Sequence, residues 1–508
     1  MSDFEAFFDQ TYGELDGLTC GRPVLGKPLN DKVVKLPLSC FTRHGLVSGT
    51  TGTGKSRAVQ RLMEQLSRHG VPSLLSDAKG DVTGFVKAGT PSSPELEWSE
   101  EAKSFETHFW SASDLLASMR FSLQDVDPAL VSRLLELNPT QESHVVLAHV
   151  LARKDKRELH DLDDLAEILE ELVERKAPGV SAQAVNVILR KIVELEHKGL
   201  ANLFGHPALD LSDLLGSGHH VVYLGDVRKH ASIASVLPVF LLYRLFVELP
   251  QSSSLKIVVF LDEAHTLFVG ANKSLMELVE RILRQIRSQG VGVFFVTQSV
   301  SDLPDRILGL LNTKIVFSTK AFTKSGLADV RALSQGFPKS DFYALSQELA
   351  KMGAGQSLVS FLDASGKQLP PLKVQWFPPQ SAMAALSLEE LKKAGEGKLR
   401  EKYKRSSKRT ARTSRFESPA TPSASPSLLD RVYPYARRAF LFFLDALWWL
   451  STHGFRVLVR FGKWLVKKPR RLVYFLVLLA AAYFVASNSQ TIQLFVETVS
   501  GFIRPTGS

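Results

Sequence analysis

Cysteine is almost missing from this chain. Its 508 residues include only Cys20 and Cys40, with no CxxC pair and no cysteine and histidine spacing typical of a zinc site. A disulfide framework and a structural zinc site are therefore not predicted. Residues 1–13 also lack the basic and apolar regions of a secretory signal. These features predict a protein whose main body folds in the cytoplasm.

Extremes of composition are absent too. Hydrophobic residues make up 44% of the chain and charged residues 22%. Both values lie near the globular average, which excludes a wholly disordered, collagenous or polytopic membrane chain. The length exceeds what one hydrophobic core usually organises, so we expect two or three structural units.

Positive charge is concentrated in one part of the chain. The formal net charge is +10, but residues 391–471 alone hold 21 Lys and Arg against 5 acidic residues, which gives +16. Residues 472–508 are balanced, so residues 1–390 carry −6. A generally basic nucleic-acid-binding body is therefore not indicated, and any contact of the body with a polyanion requires a local patch.

Apolar runs typical of strands alternate with helical stretches between about residues 28 and 300. This pattern predicts an α/β fold, a parallel sheet flanked by helices, within a domain of residues 1–390. Residues 128–215 are instead charged and amphipathic, which predicts a helical insert. The strand-like runs are residues 45–48, 71–75, 221–224, 257–261 and 291–296.

The C-terminal region changes from polar to apolar. Residues 391–427 are rich in Lys, Arg, Ser, Thr and Pro and predict a disordered basic linker. Residues 428–508 are interpreted as a membrane-associated helical tail. Within it, residues 472–486 are uncharged and mainly apolar, about 22 Å of helix against a hydrocarbon core of ~30 Å.

The residues before this apolar segment favour a membrane anchor. The basic cluster at 467–471 directly precedes it, which predicts a transmembrane helix in the inner membrane with the cluster on the cytoplasmic side. The basic residues also suit anionic lipid as a partner. The alternative is a buried helix in a soluble C-terminal domain.

The strongest chemical signal is a glycine-rich segment between an apolar run and a helical stretch. It matches the phosphate-loop motif GxxxxGK[ST] in full, in the strand–loop–helix context that the motif requires. Glycines allow backbone N–H groups to surround phosphates. We expect Lys55 to bridge the β- and γ-phosphates of ATP and Ser56 to ligate Mg²⁺. The predicted nucleotide-binding residues of the loop are Gly49, Thr50, Thr51, Gly52, Thr53, Gly54, Lys55 and Ser56.

A second motif supplies two adjacent carboxylates. The apolar run 257–261 ends at Asp262 and Glu263, which is the form of a Walker B element. Asp262 is the predicted Mg²⁺ ligand, and Glu263 is the predicted general base that polarises the attacking water. His265 has either a coupling role or none beyond the start of a helix.

Two further groups of residues complete the predicted catalytic set. Gln298 ends the run 291–296 and either senses the γ-phosphate and orients water or caps the strand. Arg281, Arg284 and Arg287 are spaced by three and lie on one helix face. They form either a solvated charge stripe or the source of an arginine finger, with Arg284 and Arg287 as candidates.

A loop after the second strand carries further charged residues. The segment 76–81 follows that strand, at the edge of an α/β sheet where ligands bind. Asp77, or Asp81, is a candidate for contact with Mg²⁺ or its water, and Lys79 for contact with a phosphate or the substrate. The alternative is a plain turn.

Together these segments resemble a known family. Residues 43–49, 77–81, 261–265 and 284–298, with the phrases 132–142 and 352–363, are similar to the HerA-like branch of the HerA–FtsK P-loop ATPases over about residues 17–377. The resemblance implies a RecA-like sheet, a homohexameric ring with ATP sites between subunits, and translocation or unwinding of DNA. The linker and tail resemble no part of the family.

Three functions compete at this stage. The leading hypothesis is a ring ATPase that acts on DNA. The second is a membrane-anchored ATPase that remodels or moves protein, which the acidic body and apolar tail favour. The third, a nucleotide-binding switch with weak turnover, is disfavoured because Glu263, Gln298 and the arginines form a full hydrolytic set.

Overall fold

A thirteen-stranded mixed sheet runs through the part of the chain that the structure describes. The computed structural model describes residues 2–90, 100–198, 201–216, 218–227, 231–319, 324–363 and 365–404. The strands are β1 (Leu18–Leu25), β2 (Lys27–Pro28), β3 (Val34–Leu36), β4 (Gly45–Ser48), β5 (Ser73–Asp77), β6 (Thr107–Ser111), β7 (Ala117–Ser118), β8 (His219–Tyr223), β9 (Ile257–Leu261), β10 (Val291–Thr297), β11 (Thr313–Phe317), β12 (Gln356–Ser360) and β13 (Leu372–Trp376).

The centre of the sheet is parallel. The strand order is β2-β1-β13-β12-β11-β4-β10-β9-β5-β8-β6-β7, with β3 paired to β1. All pairs from β11 to β7 are parallel, which confirms the predicted α/β class. The remaining strands pair antiparallel and extend one side of the sheet. This flank was not predicted, because its strands are short and only partly apolar.

Strand register brings the ends of four central strands to one edge. Thr297 at the end of β10 is paired with Ser48 at the end of β4. Leu261 of β9 is paired with Ser76 of β5 and with Phe295 of β10. The residues that follow these strands therefore lie side by side at the carboxyl edge, where α/β proteins bind ligands.

Helices cover both faces of the sheet. The helices are α1 (Ser2–Tyr12), α2 (Leu38–Phe41), α3 (Lys55–Arg68), α4 (Pro128–Leu134), α5 (Pro139–Lys154), α6 (Leu162–Glu174), α7 (Ala182–His197), α8 (Ala231–Glu248), α9 (Lys273–Ile286), α10 (Asp305–Leu308), α11 (Lys324–Gln335), α12 (Leu345–Lys351), α13 (Leu388–Ala394) and α14 (Lys398–Lys402).

Neighbouring residues of each central strand enter different cores. Leu46 and Val259 belong to the core that includes α4 to α9. Val47 and Phe260 belong to the core under α1 and α3. Because both faces are buried, the strands are apolar throughout rather than alternating, which is why they stand out in the sequence.

The predicted helical insert contains α4, α5, α6 and α7. Each of these helices begins at a polar residue whose side chain accepts a hydrogen bond from a backbone N–H of the first turn. Such caps satisfy donors that the helix itself leaves unpaired. The four capping residues are Asp127, Asn138, Asp161 and Ser181.

The beginning of the predicted linker is folded. Residues 391–404 include the end of α13 and all of α14, so the linker prediction is wrong there. Tyr403 is fully buried, and its ring lies 5.2 Å from that of Trp110. Its carbonyl accepts a 2.7 Å hydrogen bond from Arg120, and its hydroxyl accepts one of 2.9 Å from the Asp210 N–H. One buried aromatic residue thus offsets a strongly polar local sequence.

The other C-terminal predictions lie outside the described residues. They are the rest of the linker, the tail 428–508 and its helix 472–486. Among the helices that the structure does describe, none combines the length and apolar character needed to cross a bilayer.

Candidate active site

The phosphate loop connects β4 to α3 as predicted. Gly49, Gly52 and Gly54 have φ values of 150°, 80° and 117°, which favour glycine. At Gly49 a Cβ atom would also lie 2.6 Å from Cβ of Phe317, too close for any side chain. Two neighbouring segments support the loop. The Thr50 N–H donates to Ser318, and the Gly355 N–H donates to the Thr53 carbonyl at 2.8 Å.

Lys55 is folded against its own loop. Its ammonium donates to the carbonyls of Gly49 at 2.5 Å and Thr50 at 3.0 Å. Burial lowers the pKa of Lys55 to about 8, and the nearby charge of Lys79 acts in the same direction. A lysine held this way is largely charged at neutral pH and lies where phosphate oxygens would replace the two carbonyls.

The two Walker B carboxylates differ in environment. Burial raises the pKa of Asp262 to about 7, with the charge of Lys79 opposing and that of Glu263 adding. Burial also acts to raise the pKa of Glu263, but hydrogen bonds from Lys79 and Gln298 outweigh it and the pKa is lowered. Glu263 therefore stays ionised, as a general base requires.

The backbone turns sharply at Glu263. Its φ and ψ are 49° and 42°, a left-handed conformation that is uncommon for a residue with a side chain. This turn departs from simple strand alternation and directs both carboxylates to the same edge of the sheet. Such backbone outliers cluster at functional sites.

Gln298 joins the phosphate loop to the predicted base. Its amide oxygen accepts a 2.8 Å hydrogen bond from the Thr51 hydroxyl. Its amide nitrogen donates to Glu263. The structure thus brings together three predicted residues in one continuous chain of hydrogen bonds, and the position of Glu263 depends on the conformation of the loop.

Lys79 is the second partner of Glu263. Its ammonium lies 2.5 Å from a carboxylate oxygen of Glu263, and this hydrogen bond, working against burial, raises the pKa of Lys79. The sequence marked Lys79 only as a contact for phosphate or substrate. The pairing was missed because β5 and β9 are distant in sequence, and only their adjacency in the sheet brings the two residues together.

Asp77 shapes the turn that carries Lys79. Its two carboxylate oxygens accept from the N–H groups of Gly80 at 2.7 Å and Val82 at 3.0 Å. Burial raises its pKa to about 6. In this structure Asp77 is used by its own loop, so its contact with the nucleotide stays a prediction.

His265 lies at the rim of the same cluster. Its Nδ1 is 3.3 Å from the second carboxylate oxygen of Glu263 and 3.4 Å from the Thr297 hydroxyl. His265 thus contacts both the predicted base and the end of β10, and its coupling role stays a prediction.

The carboxyl edge fits ATP with Mg²⁺. Ser56 and Asp262 supply a hydroxyl and a carboxylate, oxygen ligands that Mg²⁺ accepts alongside phosphate oxygens and water. In the described residues no group of three or more His, Cys, Asp and Glu side chains could hold a metal on its own. The buried carboxylate of Asp262, with its raised pKa, is the group that a cation would stabilise.

The arginines on α9 lie at the other end of the sheet. The helix starts after the carboxyl end of β9 and packs against β10, and its end lies where β10 begins. Arg284 is exposed and donates to Glu280 at 2.7 Å. Arg287 is exposed at the helix end. The four residues of β4, about 13 Å, separate this edge from the phosphate loop.

Comparison with known proteins decides the family. The family model "Helicase HerA-like C-terminal" matches residues 23–423. The chain belongs to this family. No curated protein matches it. The resemblance inferred from the motifs is thereby confirmed.

A solved structure of low identity, that of VirB4, shares the fold. VirB4 of Thermoanaerobacter pseudethanolicus is 13% identical, with 71% of this chain and 96% of that chain covered and a TM-score of 0.51. The unbound bacterial conjugative coupling protein TrwB is 16% identical, with 74% of this chain and 98% of that chain covered and a TM-score of 0.49. The plasmid coupling protein TrwB in complex with ADPNP is 17% identical, with 74% of this chain and 100% of that chain covered and a TM-score of 0.48.

Family membership and the site agree on the class of enzyme. A HerA-like chain with a complete phosphate loop and paired carboxylates is a P-loop ATPase, with ATP and Mg²⁺ as its cofactors.

The role of Glu263 is tested by Glu263→Gln. This change removes the charge but keeps the size, so nucleotide binding should persist while turnover falls by about 10²-fold or more, the scale for losing a positioned base. Steady-state phosphate release and binding of a fluorescent ATP analogue measure the two effects.

A matched control and a second variant sharpen this test. Glu277→Gln makes the same change at an exposed glutamate on α9 and should leave turnover unchanged. Lys55→Ala should weaken nucleotide binding itself. Turnover at the wild-type rate in Glu263→Gln would show that another group is the base.

Proposed function

We propose that this protein is an ATP-driven ring motor that moves along or unwinds DNA. Family membership supports an ATP-driven helicase-type motor. The hydrolytic groups meet at the carboxyl edge, with Lys55 and Ser56 on the phosphates and Mg²⁺, Asp262 on Mg²⁺, and Glu263 activating water. The other six residues of the phosphate loop and Asp77 are assigned to nucleotide binding.

The position of the two candidate arginines is the observation that supports a ring-shaped assembly. Arg284 and Arg287 lie a strand length away from the nucleotide site of their own chain, further than an arginine side chain extends. An arginine finger on α9 therefore has to serve a neighbouring copy. This arrangement supports a homohexamer with ATP sites between subunits, as the family resemblance implies.

Arg287 is the better candidate for the finger. Arg284 is paired with Glu280 on its own helix, so contact with a neighbour would have to break that ion pair. Arg287 is exposed at the last turn, where the helix changes to a tighter 3₁₀ turn. In this role its charge stabilises the transferring phosphoryl group.

The partner of the motor is tested with a chain that ends at Lys404, the last described residue. We expect double-stranded DNA to raise its ATP turnover severalfold, and rising salt to reduce the effect because phosphate contacts release counterions. The coupled ATPase assay is run with Glu263→Gln in the same shortened chain as background.

The opposite result supports the second function. Steady ATP turnover that DNA does not change would favour an ATPase that moves protein, which the net charge of −6 on residues 1–390 also suits. The shortened chain lacks the basic tail, so the tail cannot supply the DNA contact. Stimulation of its ATP turnover by DNA therefore reports on the folded body.

We further propose that the tail attaches the motor to the inner membrane. The support is its sequence alone, namely the apolar segment 472–486 and the basic cluster 467–471 before it. The remaining linker would act as a tether, and its basic residues suit anionic lipid at about 1 kcal/mol each.

Membrane attachment is tested by fractionation. Full-length protein should stay in the membrane pellet after both high salt and alkaline carbonate, since a transmembrane helix resists both. The chain ending at Lys404 should be found in the supernatant and not in the membrane pellet. Release of the full-length protein by carbonate would contradict a transmembrane helix, and release by salt alone would leave only electrostatic adhesion.

A further inference from the structure

His44 is a buried histidine directly before the strand that leads to the phosphate loop. It is 3% exposed, and its φ is 52°, in the left-handed region. The Thr313 N–H donates to its carbonyl at 3.0 Å. The backbone at His44 is thus fixed to the start of β11, at the amino edge of the sheet.

The imidazole of His44 joins two other elements. Its Nδ1 accepts a 3.1 Å hydrogen bond from the Val293 N–H of β10. Its Nε2 lies 2.7 Å from the Leu283 carbonyl of α9. Because Nδ1 accepts, the proton is on Nε2, which donates to that carbonyl. Burial lowers the pKa of His44 to about 4, so the ring is neutral under ordinary conditions.

The bonded carbonyl belongs to the last turn of the arginine-bearing helix. The final four carbonyls of a helix lack partners within it, and Leu283 is among them because α9 ends at Ile286. His44 supplies the missing donor. Arg284 follows Leu283 directly, and Arg287 is close enough for its charge to lower the pKa of His44 further.

His44 also connects this turn to its own nucleotide site. Only the four residues of β4 separate His44 from Gly49, whose carbonyl receives the Lys55 ammonium. β4 is hydrogen-bonded to β10 on one side and to β11 on the other. It therefore connects the loop directly to His44 and, through the imidazole, to the turn that carries the arginines.

We propose that His44 is the positioning residue for the arginine that acts on the neighbouring copy, and that it links this arginine to the phosphate loop of its own chain. The inference rests on the proposed function, in which Arg287 acts across the subunit boundary. The His44 contact would let the ATP site of one copy influence the ATP site of the neighbouring copy.

Two substitutions separate the bonds of the imidazole. The amide of His44→Asn reaches only as far as Nδ1, so it retains the Val293 contact and loses the Leu283 contact. The longer amide of His44→Gln reaches the Nε2 position and retains the Leu283 contact. Asparagine also tolerates a positive φ, so His44→Asn should fold at least as well as His44→Gln.

The test measures kcat and ATP affinity in the full-length protein. His44→Asn should lower kcat by up to about 10²-fold, the scale for a catalytic group misplaced by about 1 Å, while ATP affinity stays close to that of the wild type. His44→Gln should recover most of the loss. In an Arg287→Ala background, His44→Asn should cause no further loss, since two changes on one path are not additive.

The control removes a similar buried contact elsewhere. His219 is fully buried at the start of β8 and lies 3.0 Å from the Ser73 hydroxyl. His219→Asn should leave kcat unchanged. Thermal unfolding of all variants is followed in parallel, and assays are made well below the lowest unfolding midpoint.

The outcomes distinguish this inference from the proposed function. If His44→Asn lowers kcat equally in the wild-type and Arg287→Ala backgrounds, or if His44→Gln is as impaired as His44→Asn, the positioning role is wrong while the arginine finger stands. If Arg287→Ala alone has full activity, the proposed finger fails, and the inference fails with it.

Discussion

The common direction of the central strands is the constraint on which the site depends. Because β4, β5, β9 and β10 are parallel, their carboxyl ends meet, and the segments that follow them bring the phosphate loop, Lys79, the two acids and Gln298 together. Because β9 and β10 are parallel, α9 has to return the chain to the amino edge, and its last turn with the arginines lies away from the ATP site of the same chain. In the proposed function, an arginine of α9 therefore acts on the ATP site of a neighbouring copy.

The charged side chains at the carboxyl edge are balanced against one another. Lys55 and Lys79 lie among Asp77, Asp262 and Glu263, and each perturbed pKa traces to burial opposed or assisted by these neighbours. Lys55 donates to the carbonyls of its own loop and Lys79 pairs with the predicted base, so both cations have partners within the protein.

The parts of this account that were predictable depend on local patterns. Doubly buried strands appear as continuous apolar runs, and the phosphate loop and Walker B acids are contiguous motifs. The Lys79 and Glu263 pair, the His44 contacts and the antiparallel flank depend on which strands are neighbours, which the sequence does not state. Residues 391–404 were misjudged because composition alone favoured disorder, whereas Tyr403 and its partners Arg120 and Asp210 give that segment a buried anchor.

The central claim is that each ATP site is completed by an arginine from the next copy. Mixing two inactive full-length variants tests it most directly, because Lys55→Ala removes the nucleotide site but keeps the finger, and Arg287→Ala does the reverse. The account predicts that co-assembled variants hydrolyse ATP well above either variant alone, since some sites then combine an intact loop with an intact arginine. A mixture no more active than the sum of its separate parts would contradict it.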